Sequence, residues 1–178
     1  MKTILVFVST LDGKITKWGQ PDVKVWSSQS DKDYFKNLWR KSPVIIMGSN
    51  TYKAEPVKPT SNRLVIVMTQ QIAKYKASEI PGLLEFTNES PENILARLEN
   101  SGFNFILIVG GAKIATSFLK KYLIDELWLT IEPKIFGTGG NFVIDEKLDI
   151  NLNLITTERV NEQGTLINKY LVIKPKST

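Results

Sequence analysis

The 178-residue chain contains neither cysteine nor histidine. The first absence excludes disulfides, thiol nucleophiles and thiolate zinc sites, and the second excludes serine–histidine triads and imidazole acid–base catalysis. No metal site is expected. Long apolar runs are also lacking. The opening MKTILVFVST holds only the five-residue run Ile4 to Val8, and Asp12 interrupts it without a small-residue cleavage pattern, so a buried first strand is expected rather than a secretion signal. No other stretch is long enough to span a bilayer, and a cytoplasmic location is expected. Dense basic patches interleaved with aromatics are missing too. Lysine and arginine (23) exceed aspartate and glutamate (18), but they are scattered, which predicts a solvated surface able to attract phosphorylated ligands. Neither nucleic acid nor membrane is an expected partner. Chemistry must come from carboxylates, hydroxyls, amines, backbone groups or a borrowed cofactor.

What is present is concentrated in FILIVGGAKIATSF, Phe105 to Phe118. A buried parallel strand reads as a continuous apolar run, paired glycines admit close approach of phosphates, and a helix N-terminus offers free N–H groups to an anion. This is a candidate diphosphate cradle, with a plain strand-to-helix turn as the alternative. It is not the G-x-G-x-x-G fingerprint, because Ala112 follows the pair and Ala115 stands where a later glycine is wanted.

Periodicity predicts strands at 3–9, 44–47, 63–68, 84–86, 103–109, 126–132, 152–159 and 165–173. Helices are expected at 30–41, 91–100 and 112–121, with a short polar or helical piece near 50–55. Ser90, Pro91 and Gly102 punctuate the second helix, and Asn161-Glu162-Gln163-Gly164 reads as a hairpin turn. The expected fold is one α/β domain over 1–178. It has about eight strands in a mixed, mostly parallel sheet, a C-terminal antiparallel hairpin, and helices on both faces. Ligands of such sheets gather at the carboxyl ends of the strands, here Met47 to Thr51, Thr69 to Gln71 and Gly110-Gly111.

Asp31, Phe35 and Leu38 fall at i, i+4 and i+7, which places a carboxylate on the inward face of the first helix. An unpaired buried carboxylate is costly and needs a partner or a function. Ser28-Gln29-Ser30-Asp31 also matches a capping box, in which the acid would satisfy backbone N–H groups.

Trp26, Asp31 and Phe35, then VIIMGSNTY, Arg63 opening LVIVMT, VGGAKIATSF and LWLT together resemble dihydrofolate reductase in order and nearly in spacing. VSTLDGKIT and LIDELWLTIEPKIFGTGG are similar to the reductase domain of riboflavin biosynthesis, which shares that fold. The resemblance implies a dihydrofolate reductase-like, three-layer fold and an NADPH-dependent reductase. Dihydrofolate is the first expected substrate, a ribosylamino- or ribitylamino-pyrimidine phosphate the second, and an idle nucleotide-binding protein of the same fold the third. It makes Asp31 the carboxylate that binds the pterin ring and supports protonation, and Trp26 part of a mobile loop near the nicotinamide. Val6, Phe7 and Val8 would underlie the rings, with plain core as the alternative; Phe35 would wall the substrate, Thr130 would hold Asp31, and Arg63 would bind the glutamate tail's carboxylate. Ile15, Gly48, Ser49, Asn50, Thr51, Thr69, Gln70, Val109, Gly110, Gly111, Ala112, Lys113 and Ile114 would surround NADPH. In the family the two glycines are joined by a cis peptide. The riboflavin branch is commonly dimeric, which leaves a homodimer open.

Departures from the pattern bear on cofactor and substrate. Ser49 stands where a basic residue commonly binds the 2′-phosphate and Gln70 replaces a usual hydroxyl, so Lys74 or Lys76 would have to supply the charge and NADH stays open. A pterin edge offers an amino donor beside a ring N–H, which two carboxylate oxygens accept together; a uracil dione offers one N–H between two acceptors, which a carboxylate would repel. Ala54-Glu55-Pro56 lacks the D-x-P-x-L-T-x-R stretch of riboflavin reductases. Asp125, Glu126, Glu132-Pro133 and Gly137-Thr138-Gly139-Gly140 follow the riboflavin pattern, and Asp12-Gly13 reads as an active-site loop or a turn.

Overall fold

The computed structural model describes residues 1–20 and 22–175. In chain order the elements are β1 (Lys2–Thr10), α1 (Gln29–Lys41), β2 (Val44–Gly48), α2 (Ser49–Ala54), β3 (Leu64–Met68), α3 (Ile72–Tyr75), β4 (Leu84–Thr87), α4 (Pro91–Asn100), β5 (Phe105–Ile108), α5 (Ala112–Leu119), β6 (Glu126–Glu132), β7 (Leu152–Arg159) and β8 (Leu166–Val172). The eight strands form one sheet in the order β4-β3-β2-β5-β1-β6-β8-β7. Pairing is parallel from β4 through β6, and antiparallel only where β8 meets β6 and β7.

Side chains alternate across a strand. β1 therefore sends Leu5 and Phe7 to the face covered by Ile94 and Leu98 of α4 and by Ala115 and Phe118 of α5. Ile4 and Val6 go to the opposite face, against Phe35, Leu38 and Trp39 of α1. Two apolar layers thus sandwich the sheet, and each fully buried aliphatic side chain contributes about 1.5–3 kcal/mol.

The differences from the expected elements have local causes. β5 starts at Phe105 rather than 103 because Gly102, at φ +80°, ends α4 and Phe103 N–H then returns to Leu98 O at 3.2 Å. The helix expected to reach 121 ends at Leu119. α3 was not expected; Tyr75 stacks on Phe86 with ring centroids 4.7 Å apart, so tertiary packing holds this single turn. The hairpin at 161–164 forms, with Asn161 Oδ1 accepting from Thr165 N at 3.0 Å. Asp12-Gly13 is a turn: Gly13 N–H donates to Thr10 O, and Asp12 accepts from Gly137 N at 2.7 Å. Those contacts dock the 11–13 turn on the glycine-rich loop. There Gly139 is required, since a Cβ on it would lie 2.1 Å from Thr16 O.

Candidate active site

The carboxyl ends of β1, β2, β3, β4 and β5 open onto one cavity of about 1550 Å³. Ordinary small-molecule pockets run to roughly 1,000 Å³, so this one has room for a dinucleotide and a second ligand together. Of the residues singled out in the sequence, Val6, Phe7, Val8, Ile15, Asp31, Phe35, Gly48 to Thr51, Thr69, Gln70 and Val109 to Ile114 all line it. Trp26, Arg63 and Thr130 do not.

Backbone forms one end. Gly110-Gly111 is a cis peptide, and Gly48 N–H donates to Gly110 O at 2.8 Å, locking the β2 and β5 exits together. Gly110 sits at φ +114°, and a Cβ there would stand 3.3 Å from the Phe7 ring. α5 begins immediately afterwards with no side-chain cap, so its first N–H groups are unclaimed and Lys113 adds a cation in the first turn. This end fits the diphosphate of a dinucleotide. Neither Lys74 nor Lys76 lines the cavity, and Lys76 pairs with Glu79 at 2.7 Å, so the charge expected from them is not delivered there.

Side chains form the other end. Asp31 is 6% exposed and is the one fully buried residue of α1. Half of the expected capping box forms: Ser28 Oγ accepts from Asp31 N at 3.2 Å, but Ser28 N–H donates to Glu132 Oε1 at 2.7 Å rather than to Asp31. Glu132, buried on β6, also accepts from Thr165 Oγ1 at 2.8 Å. A second carboxylate therefore fastens the start of α1 to β6 and the hairpin, leaving Asp31 free for the cavity. Burial pushes the Asp31 carboxyl up to about 6; the neighbouring Thr130 and Ser27 hydroxyls pull it down, and the Glu132 charge adds to the rise. Tyr34 also lines the cavity, and its hydroxyl is buried and completes no hydrogen bond.

Two expected ligand contacts are corrected by position. The guanidinium of Arg63 donates to Ser42 O at 3.0 Å and Arg40 O at 3.3 Å, closing the C-terminal end of α1 instead of facing a substrate tail. Trp26 is 4% exposed, its ring edge-on to Phe136 at 5.2 Å and its carbonyl taken by Lys134, so it packs behind the cavity instead of bordering it. Thr130 is buried beside Asp31 and hydrogen-bonds its carboxylate as expected, but it does not line the cavity. Ser27, Tyr34 and Glu132 were not picked out as site residues. Tyr34, at i+3 from Asp31, was visible as a helical neighbour; Glu132 reaches the site only through pairing of β6, which local sequence does not encode.

A mixed sheet whose parallel strand ends open on a glycine-floored cavity is a dihydrofolate reductase-like fold: a dihydrofolate reductase from Enterococcus faecalis, solved with NADP(H), superposes with a TM-score of 0.65 at 18% identity over 97% of each chain. The profile of the RibD C-terminal domain matches residues 57–166, and the chain belongs to that family. It is 29% identical over 144 residues to the Bacillus subtilis protein YwjB, covering 78% of this chain and 80% of that one. A putative riboflavin biosynthesis protein from Shewanella sp. PV-4 superposes with a TM-score of 0.78 at 24% identity, covering 98% of this chain and 100% of that one. Among the described residues no helix is long and apolar enough to cross a membrane, and no group of three potential ligands could hold a metal ion.

Proposed function

We propose that the protein is an NADPH-dependent reductase of a riboflavin-type aminopyrimidine, of the 5-amino-6-(5-phosphoribosylamino)uracil class. The observation that carries this reading is one continuous cavity joining the Asp31 wall to the glycine floor. Family membership and the riboflavin-type neighbour support the pyrimidine over the pterin. A nicotinamide cofactor held in this cavity would supply the hydride for the carbon of a C=N bond. Gly110, Gly111 and the first turn of α5 hold the diphosphate, and Lys113 offsets its charge. Phe35 packs on the heterocycle while Asp31 accepts a ring N–H and fixes its orientation. The proton for the nitrogen enters through water in the open cavity, with the ionised Asp31 favouring its arrival.

Reduction of dihydrofolate is the second reading, favoured by a buried carboxylate able to accept from two adjacent donors. The position of Arg63 weighs against it, because no arginine is left in the cavity lining for a glutamate tail. NADPH oxidation with the pyrimidine phosphate and with dihydrofolate, side by side, separates the two: turnover of the first and not the second is expected. Thermal stabilisation by an antifolate, but not by the pyrimidine, would reverse the assignment.

A further inference from the structure

Asp31 and the glycine floor account for two stretches of the cavity, but its lining continues past them to the exits of β3 and β4. The sheet order puts β2 next to β5, then β3, then β4. At the ordinary strand spacing those last two exits stand roughly 10 and 14 Å from Gly110-Gly111. The Asp31 carboxyl lies the other way, beside Thr130 and Glu132 of β6. A dinucleotide whose diphosphate rests at Gly110-Gly111, with its nicotinamide toward Asp31, therefore sends its adenosine toward β3 and β4.

That end is tied together by backbone. Thr69 N–H donates to Thr87 O at 2.8 Å, which sets the two exits side by side. Each threonine hydroxyl then accepts from the backbone two residues on, from Gln71 N at 3.1 Å and from Glu89 N at 3.1 Å. Across 68–71 and 87–91 the lining among the described residues holds no cation, and its one charged side chain is Glu89. Arg97, outside the lining, is already committed. Its Nε donates to Glu89 Oε2 at 3.3 Å and its terminal nitrogens to Glu85, so the three side chains together carry one net negative charge. The lysines that do line the cavity belong to other parts of it. Lys113 is in the first turn of α5 beside the glycines, Lys32 and Lys36 are on α1, and Lys24 pairs with Glu55. Lys53 ends α2, and Lys58 follows it in the connection to β3.

A ribose offers a vicinal diol, two O–H donors that one carboxylate accepts together. A 2′-phosphate offers only acceptors at neutral pH, with a charge of about −1.5 to −2. Beside Glu89 the diol is matched and the phosphate is repelled. We propose that Glu89 is a specificity-determining residue for the cofactor: it favours an unphosphorylated adenosine ribose, so that NADH is taken at least as readily as NADPH. The inference rests on the reading of the cavity as a nicotinamide-dependent reductase site and names which dinucleotides that site accepts. NADPH remains usable through its diphosphate and nicotinamide.

The test is a binding measurement on the full chain and needs no turnover. NAD⁺ and NADP⁺ are titrated calorimetrically into the wild type, into Glu89→Gln, and into a variant combining Lys53→Ala with Lys58→Ala. The wild type is expected to bind NAD⁺ as tightly as NADP⁺ or more tightly. Glu89→Gln should strengthen NADP⁺ by about three- to tenfold and leave NAD⁺ unchanged or weaker. The lysine variant should keep the wild-type ratio of the two affinities. Melting temperatures identify the variants as folded, and the wild-type comparison stands without them. NADP⁺ bound by the wild type more than about threefold tighter than NAD⁺ would overturn the proposal, and loss of that preference in the lysine variant would name the cations responsible. A ratio untouched by Glu89→Gln would overturn the role of Glu89. Binding of neither dinucleotide would instead remove the parent reading, and this inference with it.

Discussion

At Gly110-Gly111 the cavity is built from backbone contributed by one short stretch of chain, whereas at Asp31 its wall is made of side chains of Ser27 and α1, braced from behind by Glu132 of β6 and Thr165 of the β7–β8 hairpin. The glycine end offers shape and fixed dipoles, and it carries no titratable carboxyl among Gly110, Gly111 and the first turn of α5. The Asp31 end offers a charge whose carboxyl responds to burial, to the Thr130 and Ser27 hydroxyls and to the Glu132 charge. Backbone suffices for a phosphate, which needs donors and close approach; a heterocycle with a specific edge needs side chains.

The largest effect that would sharpen this contrast is expected from Asp31→Asn. Turnover should fall by about two orders of magnitude, with NADPH affinity within about twofold of the wild type in fluorescence titration. Gly110→Ala should do the reverse. Its side chain meets both a positive φ and the Phe7 ring, so NADPH binding should weaken by about tenfold or more, with ring binding measured by calorimetry the less affected. Comparable damage to both ligands from either substitution would break the separation of the two ends.

Stability gives a third and independent prediction. The folded-state pKa of Asp31 is raised from 3.8 to about 6, so the fold favours the protonated form. The stabilisation from this group is complete below pH 3.8 and is lost as the pH rises through about 6. Asp31→Asn should therefore be the more stable protein at pH 8, by on the order of 3 kcal/mol in urea denaturation, and the advantage should shrink to nothing near pH 4. An acid kept at a cost to the fold is what the proposed binding role predicts, the usual trade between stability and activity.

Glu132→Gln is a smaller perturbation. Removing its charge should move the acid limb of the pH–rate profile to lower pH, because Glu132 helps raise the Asp31 pKa, and KM should rise as the entry to α1 loosens. The smallest effect on ligand binding is expected from Arg63→Met, whose lost carbonyl contacts should lower the melting temperature by a few degrees. KM for the pyrimidine should stay unchanged. A large rise in KM for dihydrofolate in that variant would restore the tail-binding role.

The same division explains what could be read from the sequence. Gly48, Gly110, Gly111 and the strand exits are local signals, and the cavity gathers all of them. α4 spans 91–100 and β6 spans 126–132 as expected, because their caps and alternation are written within each segment. The burial of Asp31 followed from its helical spacing, but the loss of the reciprocal half of its capping box did not, since Glu132 arrives from about a hundred positions away. Arg63 misled for a related reason: its place in the sequence matches a tail-binding arginine, while its environment offers the unsatisfied carbonyls of the α1 end.

The most direct measurement of the central claim is NADPH oxidation driven by the ribosylamino-pyrimidine phosphate, in the wild type and in Asp31→Asn, with NADPH affinity determined on the same samples. The account predicts oxidation stoichiometric with substrate in the wild type, near-complete loss in the variant, and equal NADPH affinity in both. Equal oxidation rates in the two proteins, or none in the wild type despite tight NADPH binding, would contradict it.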